Sequence, residues 1–276
     1  MASMTDEDER DGRFAAGYGR WWAPVLAPAV EELLDDLAPR LGDATRLVDI
    51  GTGTGQLALG ALGRWPPVSV VGVDASSDMS AAADREADRA LTGAARARFR
   101  SEVAFADELP FADATFDVAV SSFVFQLVPR RARALREARR VLRPDGLLSY
   151  VTWLQDDRVF EPDRILDDVL DEVGIGAREA DGRPGDLPSV ERAGAELRRA
   201  GFAHVTARAG RLEHRFTVDR YVAFISEFDE ATLFADLDPG VRKRLLATLR
   251  RRLGRLPADQ LAMRFPIVFA TGRRSR

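Results

Sequence analysis

The amino-acid sequence predicts an α/β protein, a doubly wound sheet of mostly parallel strands with an added helical cap. Three observations predict it. Short apolar runs rich in β-branched residues recur between about residues 46 and 153, and segments of helical periodicity separate them. Strand, helix, strand repeated this way calls for crossover connections between parallel strands. After Leu154 the texture changes to Arg-rich and acid-rich helices with two further strand-like runs.

Taken in order, "MASMTDEDERDGR" is polar and acidic, unlike a secretory signal, and reads as a loose amino terminus. "YGRWWAPVLAPAVEELLDDLAPRLG" carries apolar positions at helical spacing and reads as one or two helices. Strands are expected at 46–51 ("RLVDIG"), 68–74 ("VSVVGVD"), 116–124 ("FDVAVSSFV") and 146–153 ("GLLSYVTW"), with a weaker one near 97–105. Helices are expected at about 57–64, 77–93 and 130–142. Beyond Leu154, an acidic helix leads into a Gly- and Pro-rich loop expected to be mobile. "VERAGAELRRAGF" reads as a helix and "HVTARAGRLEHRF" as a long strand. "TVDRYVAFISEF" and "DPGVRKRLLATLRRRLGRL" read as helices, and "LAMRFPIVFATGR" (261–273) as the closing strand. The chain therefore divides into a covering segment (1–45), a sheet core (46–153) and a carboxyl-terminal part (154–276) with a helical insertion at about 218–255.

The 276 residues are 46% hydrophobic and 30% charged, enough for one large core or one domain with a sizeable insertion. A net charge of -4 provides no global field toward nucleic acid or an anionic membrane. Without cysteine there is no disulfide, thiolate nucleophile or Cys-based metal site, and no spaced cluster of carboxylates and histidines reads as another metal site. No apolar stretch approaches the roughly 20 residues of a membrane helix. "RRARALREARRVLRP" packs seven arginines between Arg130 and Arg143. Ala132, Leu135, Ala138 and Leu142 fall at helical steps within it, which reads as a solvated crossover helix. The stretch 241–256 has the same form. The expectation is a soluble cytoplasmic protein, monomer or homodimer, without a nucleic-acid partner.

Chemistry enters at "LVDIGTGTGQLALG" (47–60), where an apolar strand ends in alternating glycines and opens a helix. Missing side chains there let backbone approach a ligand at the carboxyl ends of the strands. The nicotinamide fingerprint G-x-G-x-x-G is not met, because Gln56 stands at the third glycine position and Gly55 comes one place early. A Walker loop would need a Lys that is absent. Asp49, on the strand itself, suits an ammonium group better than a pyrophosphate. Asp74 ends the next strand 19 residues beyond Gly55, where an acid can accept both hydroxyls of a ribose. An amino acid joined to a ribose and an adenine describes S-adenosylmethionine.

Five stretches, "VDIGTGTG", "VVGVDASSDM", "ADELPFADATFDVAVSSFVFQLV", "LREARRVLRPDGLLSYVTW" and "IVFATGR", make the chain resemble the class I S-adenosylmethionine-dependent methyltransferases of the ubiquinone–menaquinone group. The resemblance implies a Rossmann-like, seven-stranded sheet whose last strand, about 261–272, runs antiparallel. It also implies S-adenosylmethionine as cofactor and S-adenosylhomocysteine as product. It places Asp49, Gly51, Thr52, Gly53 and Gly55 around the methionine end, Asp74 on the ribose, Ala75 and Met79 near the adenine, and Ser122 beside the methionine portion. Tyr18 stands where relatives carry an aromatic over the transfer site.

Relatives usually read D-A-x-x-L-P-F, with the Asp on the adenine amino group. Here Phe105 occupies that place, leaving the Ala106 N–H and the neighbouring Asp107 or Glu108 as adenine contacts. Gln126 stands where relatives often carry a histidine. His214 is the candidate general base, because a group with pKa near 7 helps an oxygen acceptor lose its proton. His204, ten residues earlier, has the same strand parity and should share its face. Trp153, Phe123, Phe125 and Gln126 are the candidate substrate wall. The expected function is in-line transfer of a methyl group to an O, N or C atom of a small-molecule acceptor. The alternatives are a nucleic-acid or protein methyltransferase and a non-methylating member acting as cyclase or scaffold.

Overall fold

The computed structural model describes residues 12–41, 45–176, 178 and 185–275. The polar start through residue 11 and most of the loop expected near 177–184 lie outside the described residues. Two compact units are present. One comprises Met1–Gln155, Pro184–Arg211 and Pro266–Arg276, the other Asp156–Arg183 and Leu212–Phe265.

The first unit holds most of the sheet. The strands are β1 (Arg46–Ile50), β2 (Ser69–Asp74), β3 (Phe99–Val103), β4 (Phe116–Ser122), β5 (Leu142–Trp153), β6 (Phe202–Arg215) and β7 (Ala262–Arg274), in the order β3-β2-β1-β4-β5-β7-β6. The end of β6 and the start of β7 fall in the second unit. β1 pairs in parallel with β2 and β4, β2 with β3, and β4 with β5. β7 runs antiparallel to β5, with Leu147 opposite Arg273 and Trp153 opposite Ile267. This is the expected seven-stranded, Rossmann-like sheet with a reversed last strand. Strand order reverses between β1 and β4, and in such sheets the crevice at that point takes the ligand.

Among the described residues the α-helices of six residues or more are α1 (Ala23–Leu37), α2 (Gln56–Arg64), α3 (Ser77–Ala90), α4 (Arg131–Val141) and α6 (Val190–Arg199) in the first unit, and α5 (Glu161–Glu172), α7 (Val218–Phe224), α8 (Ala231–Asp236) and α9 (Pro239–Leu253) in the other. α1 buries Val25, Leu26, Ala29, Val30, Leu33, Leu34 and Leu37, an apolar stripe at steps of three and four. Arg64 at the end of α2 ties it to Asp35 at 2.6 Å and to Glu31. α4 buries Ala134, Leu135, Ala138 and Val141; of the expected apolar positions Ala132 is exposed and Leu142 already belongs to β5, while Arg133 and Arg136 take the solvent side. Arg274 reaches its last turn and donates to the Arg140 carbonyl at 2.7 Å, a cation at a helix carboxyl end.

β5 starts earlier than its apolar run. Leu142 pairs with Phe116, then the "RPDG" turn bulges out with Asp145 at φ 65°, and the ladder resumes where Leu147 meets Val118. Val48, Ile50, Val71, Val73, Phe116, Leu148 and Tyr150 form the buried centre of the sheet.

In the second unit α5 buries Ile165, Leu166, Val169 and Leu170. The Tyr221 hydroxyl of α7 donates to Asp163 at 2.6 Å, and Arg178 pairs with Asp167 at 2.7 Å and Glu230 at 3.1 Å. The helices of 218–255 are thus packed with a segment that precedes them by some fifty residues. Among the described residues no helix is long and apolar enough to cross a membrane.

Candidate cofactor and acceptor site

The site grows from the end of β1. Gly51, Gly53 and Gly55 all take positive φ, at 74°, 55° and 86°, so the chain turns in a way side chains resist. The turn is pinned from below: the amides of Gly51 and Thr52 both donate to the Val73 carbonyl, at 2.7 and 2.8 Å. Gly51 has a second reason to lack a side chain. A Cβ there would stand 2.6 Å from Val124 Cγ1, so the segment after β4 closes directly onto the turn.

Asp49 points into the base of this loop and is only 1% exposed. The Thr52 hydroxyl donates to its Oδ2 at 2.9 Å. Oδ1 is buried and has no hydrogen-bond partner among the described residues. Burial pushes the pKa of Asp49 up to about 7. The Thr52 hydrogen bond opposes the shift, Asp74 adds to it, and the Ala58 amide opposes it.

Asp74 ends β2 half-buried. Its Oδ2 accepts the Gly53 N–H at 2.8 Å and its Oδ1 accepts the Ser76 N–H at 3.0 Å, which fixes the carboxylate beside the glycine turn. Ser76 caps α3 by accepting the Met79 amide. Tyr18 packs against Ala15, Met79 and Ala82, and its Cε1 comes within 3.8 Å of where a Gly53 Cβ would stand. Burial, then Asp74 and Asp49, push its phenol well above the ordinary value, so the hydroxyl stays protonated beside the two acids. Ala75 is exposed and Ser122 half-buried at the end of β4.

Next to the turn stands an aromatic wall. Phe123 and Trp153 lie with ring centroids 4.3 Å apart, and Trp22 reaches Trp153 at 6.5 Å. Phe123 takes a left-handed φ of 55°, a conformation bulky residues adopt only when surroundings enforce it. Gln126 enforces it. Its Nε2 donates to the Phe123 carbonyl at 2.6 Å and its Oε1 accepts from Thr152 at 2.5 Å. Both ends of Gln126 are thus spent as a brace. Phe125 is buried edge-on against Tyr150 at 5.1 Å, part of the core and not of the wall.

On β3 the chain passes from Val103, which pairs with Asp74, to an exposed Phe105. Asp107 is buried and pairs with Arg130 at 2.5 Å, while Glu108 reaches Arg133 at 3.5 Å. His214 belongs to the second unit, edge-on to Phe216 at 4.6 Å, with its pKa lowered first by burial and then by Arg220. His204 is exposed at φ 47°. Exposure along β6 changes phase near Arg208, so equal parity does not give the two histidines like surroundings.

Sequence reasoning missed Trp22, Val124 and the bracing role of Gln126. "GYGRWW" and "SSFVFQ" carried these residues, but only tertiary packing turns them toward the turn.

A reversed seventh strand, a side-chain-free turn at the switch point and acids ending β1 and β2 define the class I methyltransferase fold. Residues 48–150 match the family described as "Methyltransferase domain". It is 28% identical to a malonyl-[acyl-carrier protein] O-methyltransferase of Geobacter sulfurreducens, over 95% of this chain and 96% of that protein. It is 41% identical over 125 residues to a ubiquinone/menaquinone biosynthesis C-methyltransferase of Dinoroseobacter shibae, and spans 48% of that relative's length. A phosphoethanolamine N-methyltransferase of Haemonchus contortus, solved with phosphomonomethylethanolamine and S-adenosylhomocysteine, shares the fold. Its TM-score is 0.58 at 17% identity, over 95% of this chain and 57% of that one.

The residues fit S-adenosylmethionine. The orphaned Asp49 Oδ1 asks for a cation, and the glycine backbone leaves room for one to reach it.

Proposed function

We propose that the chain transfers a methyl group from S-adenosylmethionine to a small-molecule acceptor, releasing S-adenosylhomocysteine. The observation that carries this reading is the buried, unpartnered Asp49 oxygen beneath a side-chain-free turn. A buried carboxylate with one oxygen left unpaired is costly until an ammonium group pairs with it. Asp74, already oriented by the Gly53 and Ser76 amides, has lone pairs left for ribose hydroxyls.

When bound, the cofactor supplies a methyl group activated by a positive sulfonium. The residues of this chain then position and shield. Tyr18 covers the turn, and Phe123, Trp153 and Trp22 offer aromatic faces to an acceptor and keep water out. His214, kept neutral by its lowered pKa, has the protonation state of a general base. The relatives named above are a malonyl-[acyl-carrier protein] O-methyltransferase and a ubiquinone/menaquinone biosynthesis C-methyltransferase, and the second of these names supports a small organic acceptor. We place the protein in the cytoplasm as monomer or homodimer.

The test is transfer of labelled methyl from S-adenosylmethionine into a small-molecule extract, with protein and RNA fractions assayed alongside. Label in the small-molecule pool alone is expected. Label confined to RNA or protein overturns the acceptor class, and tight binding without transfer overturns the activity. Asp74→Ala is expected to weaken S-adenosylhomocysteine binding by ~1–3 kcal/mol in calorimetry, the scale of leaving polar partners unmade. Unchanged affinity would remove Asp74 from the ribose.

A further inference from the structure

We propose that Thr152 and the returning segment Gly185–Leu187 are positioning elements for methyl transfer, which act from behind to hold Phe123 and Trp153 in place. This rests on the reading of those two aromatics as the acceptor wall.

The wall lies where two strands part. β4 stays paired with β5 as far as Ser122 opposite Val151, and the Phe123 amide still donates to the Val151 carbonyl at 2.8 Å. β5 then runs on to Trp153 although β4 has ended, so its edge needs a new partner there. A segment from much later in the chain takes the place. The chain leaves the first unit after Gln155 and rejoins it at Pro184. Leu187 forms a parallel bridge with Leu154; its amide donates to the Trp153 carbonyl at 3.1 Å, and its carbonyl accepts the Gln155 amide at 2.9 Å. Trp153 also pairs with Ile267 of β7, so it is held from both sides.

The same segment bears on Phe123. A Cβ at Gly185 would stand 2.6 Å from the Gln126 carbonyl carbon, so only glycine lets the segment lie against Gln126. Arg131 donates to the Gly185 carbonyl and keeps the segment down. Gln126 holds the Phe123 carbonyl at 2.6 Å, and the buried Thr152 hydroxyl fixes the other end of that side chain at 2.5 Å. Phe123 needs this succession of contacts, because its φ of 55° persists only while its surroundings enforce it. A displaced wall misaligns the acceptor with the methyl group, and misplacement by about 1 Å costs on the order of a hundredfold in rate.

The full chain labelled with fluorotryptophan reports the wall by fluorine NMR, with the Trp153 resonance assigned through Trp153→Phe. Labelled-methyl transfer into a small-molecule extract reports the reaction. Thr152→Val keeps the shape and removes the hydroxyl, whereas Thr152→Ser keeps the hydroxyl. Thr152→Val is expected to move the Trp153 resonance and to slow transfer about tenfold or more, and Gly185→Ala to do the same. Thr152→Ser should bring both readouts back toward wild type. Thr152→Val indistinguishable from wild type in either readout, or Thr152→Ser as slow as Thr152→Val, overturns the positioning role alone. A wild type that transfers no label overturns the activity reading and the positioning role with it.

Discussion

Asp49→Asn is expected to make the free protein more stable at pH 8 while removing its affinity for S-adenosylhomocysteine. Both effects come from one buried carboxylate. In the folded chain its pKa stands at about 7, mainly because burial disfavours the charge. In the unfolded chain it titrates near the ordinary value of about 4. A carboxyl with a raised folded pKa binds its proton more tightly folded than unfolded. Its contribution to stability is therefore full below about pH 4 and is lost as pH climbs through about 7. By pH 8 the wild type holds a buried anion, and the neutral amide avoids that cost, worth up to about 4 kcal/mol. The gain should shrink steadily as the pH is lowered toward 4.

The ligand reverses the sign. An ammonium group beside Oδ1 favours the ionised acid, so wild-type affinity should fall as pH drops below about 7, with proton uptake on release. The amide offers no charge, and the loss should be about 3 kcal/mol or more, the scale for removing one partner of a buried pair. Urea unfolding and calorimetry across pH 5–8 measure the two effects separately. Equal stability of the two proteins at every pH would show that burial does not hold the proton on Asp49.

Gly51→Ala is expected to destabilise the fold by about 2–5 kcal/mol and to weaken cofactor binding at least tenfold. An L-residue held at φ 74° costs roughly 1–2 kcal/mol, and the new methyl meets Val124 at less than van der Waals distance. The segment after β4 would have to back away, loosening the Phe123 wall with it. Val124→Ala in the Gly51→Ala background should recover part of the loss, since the overlapping Cγ atoms go while the strained φ stays. Denaturant titration of the four proteins closes that cycle. Strictly additive losses would show that the two residues do not touch.

The strands β1, β2 and β4 were legible because buried β-branched runs end at glycine or a polar turn, and both cues act locally. The start of β5 was not, since Pro144 and Asp145 read as a break, yet the sheet absorbs them as a bulge and resumes at Leu147. Helix α5 was legible as a helix, but its partners were not. Only the fold brings Asp163 to Tyr221 and Arg178 to Glu230 across fifty residues. At the site, Asp49, the glycines and Asp74 announced themselves by type and spacing. The fate of Asp107 did not, because nothing in "FADELPF" reveals that Arg130 claims it. Gln126 was visible as a departure from the usual histidine, and its task of holding Phe123 emerged only from two side-chain hydrogen bonds.

The second unit is assembled from two detours of the chain, one leaving after β5 and the other between the later parts of β6 and β7. Neither detour interrupts the path from β1 through β4, where the turn, the two acids and the Phe123 segment are all encoded. Changes of length or sequence in either excursion therefore leave that path unbroken.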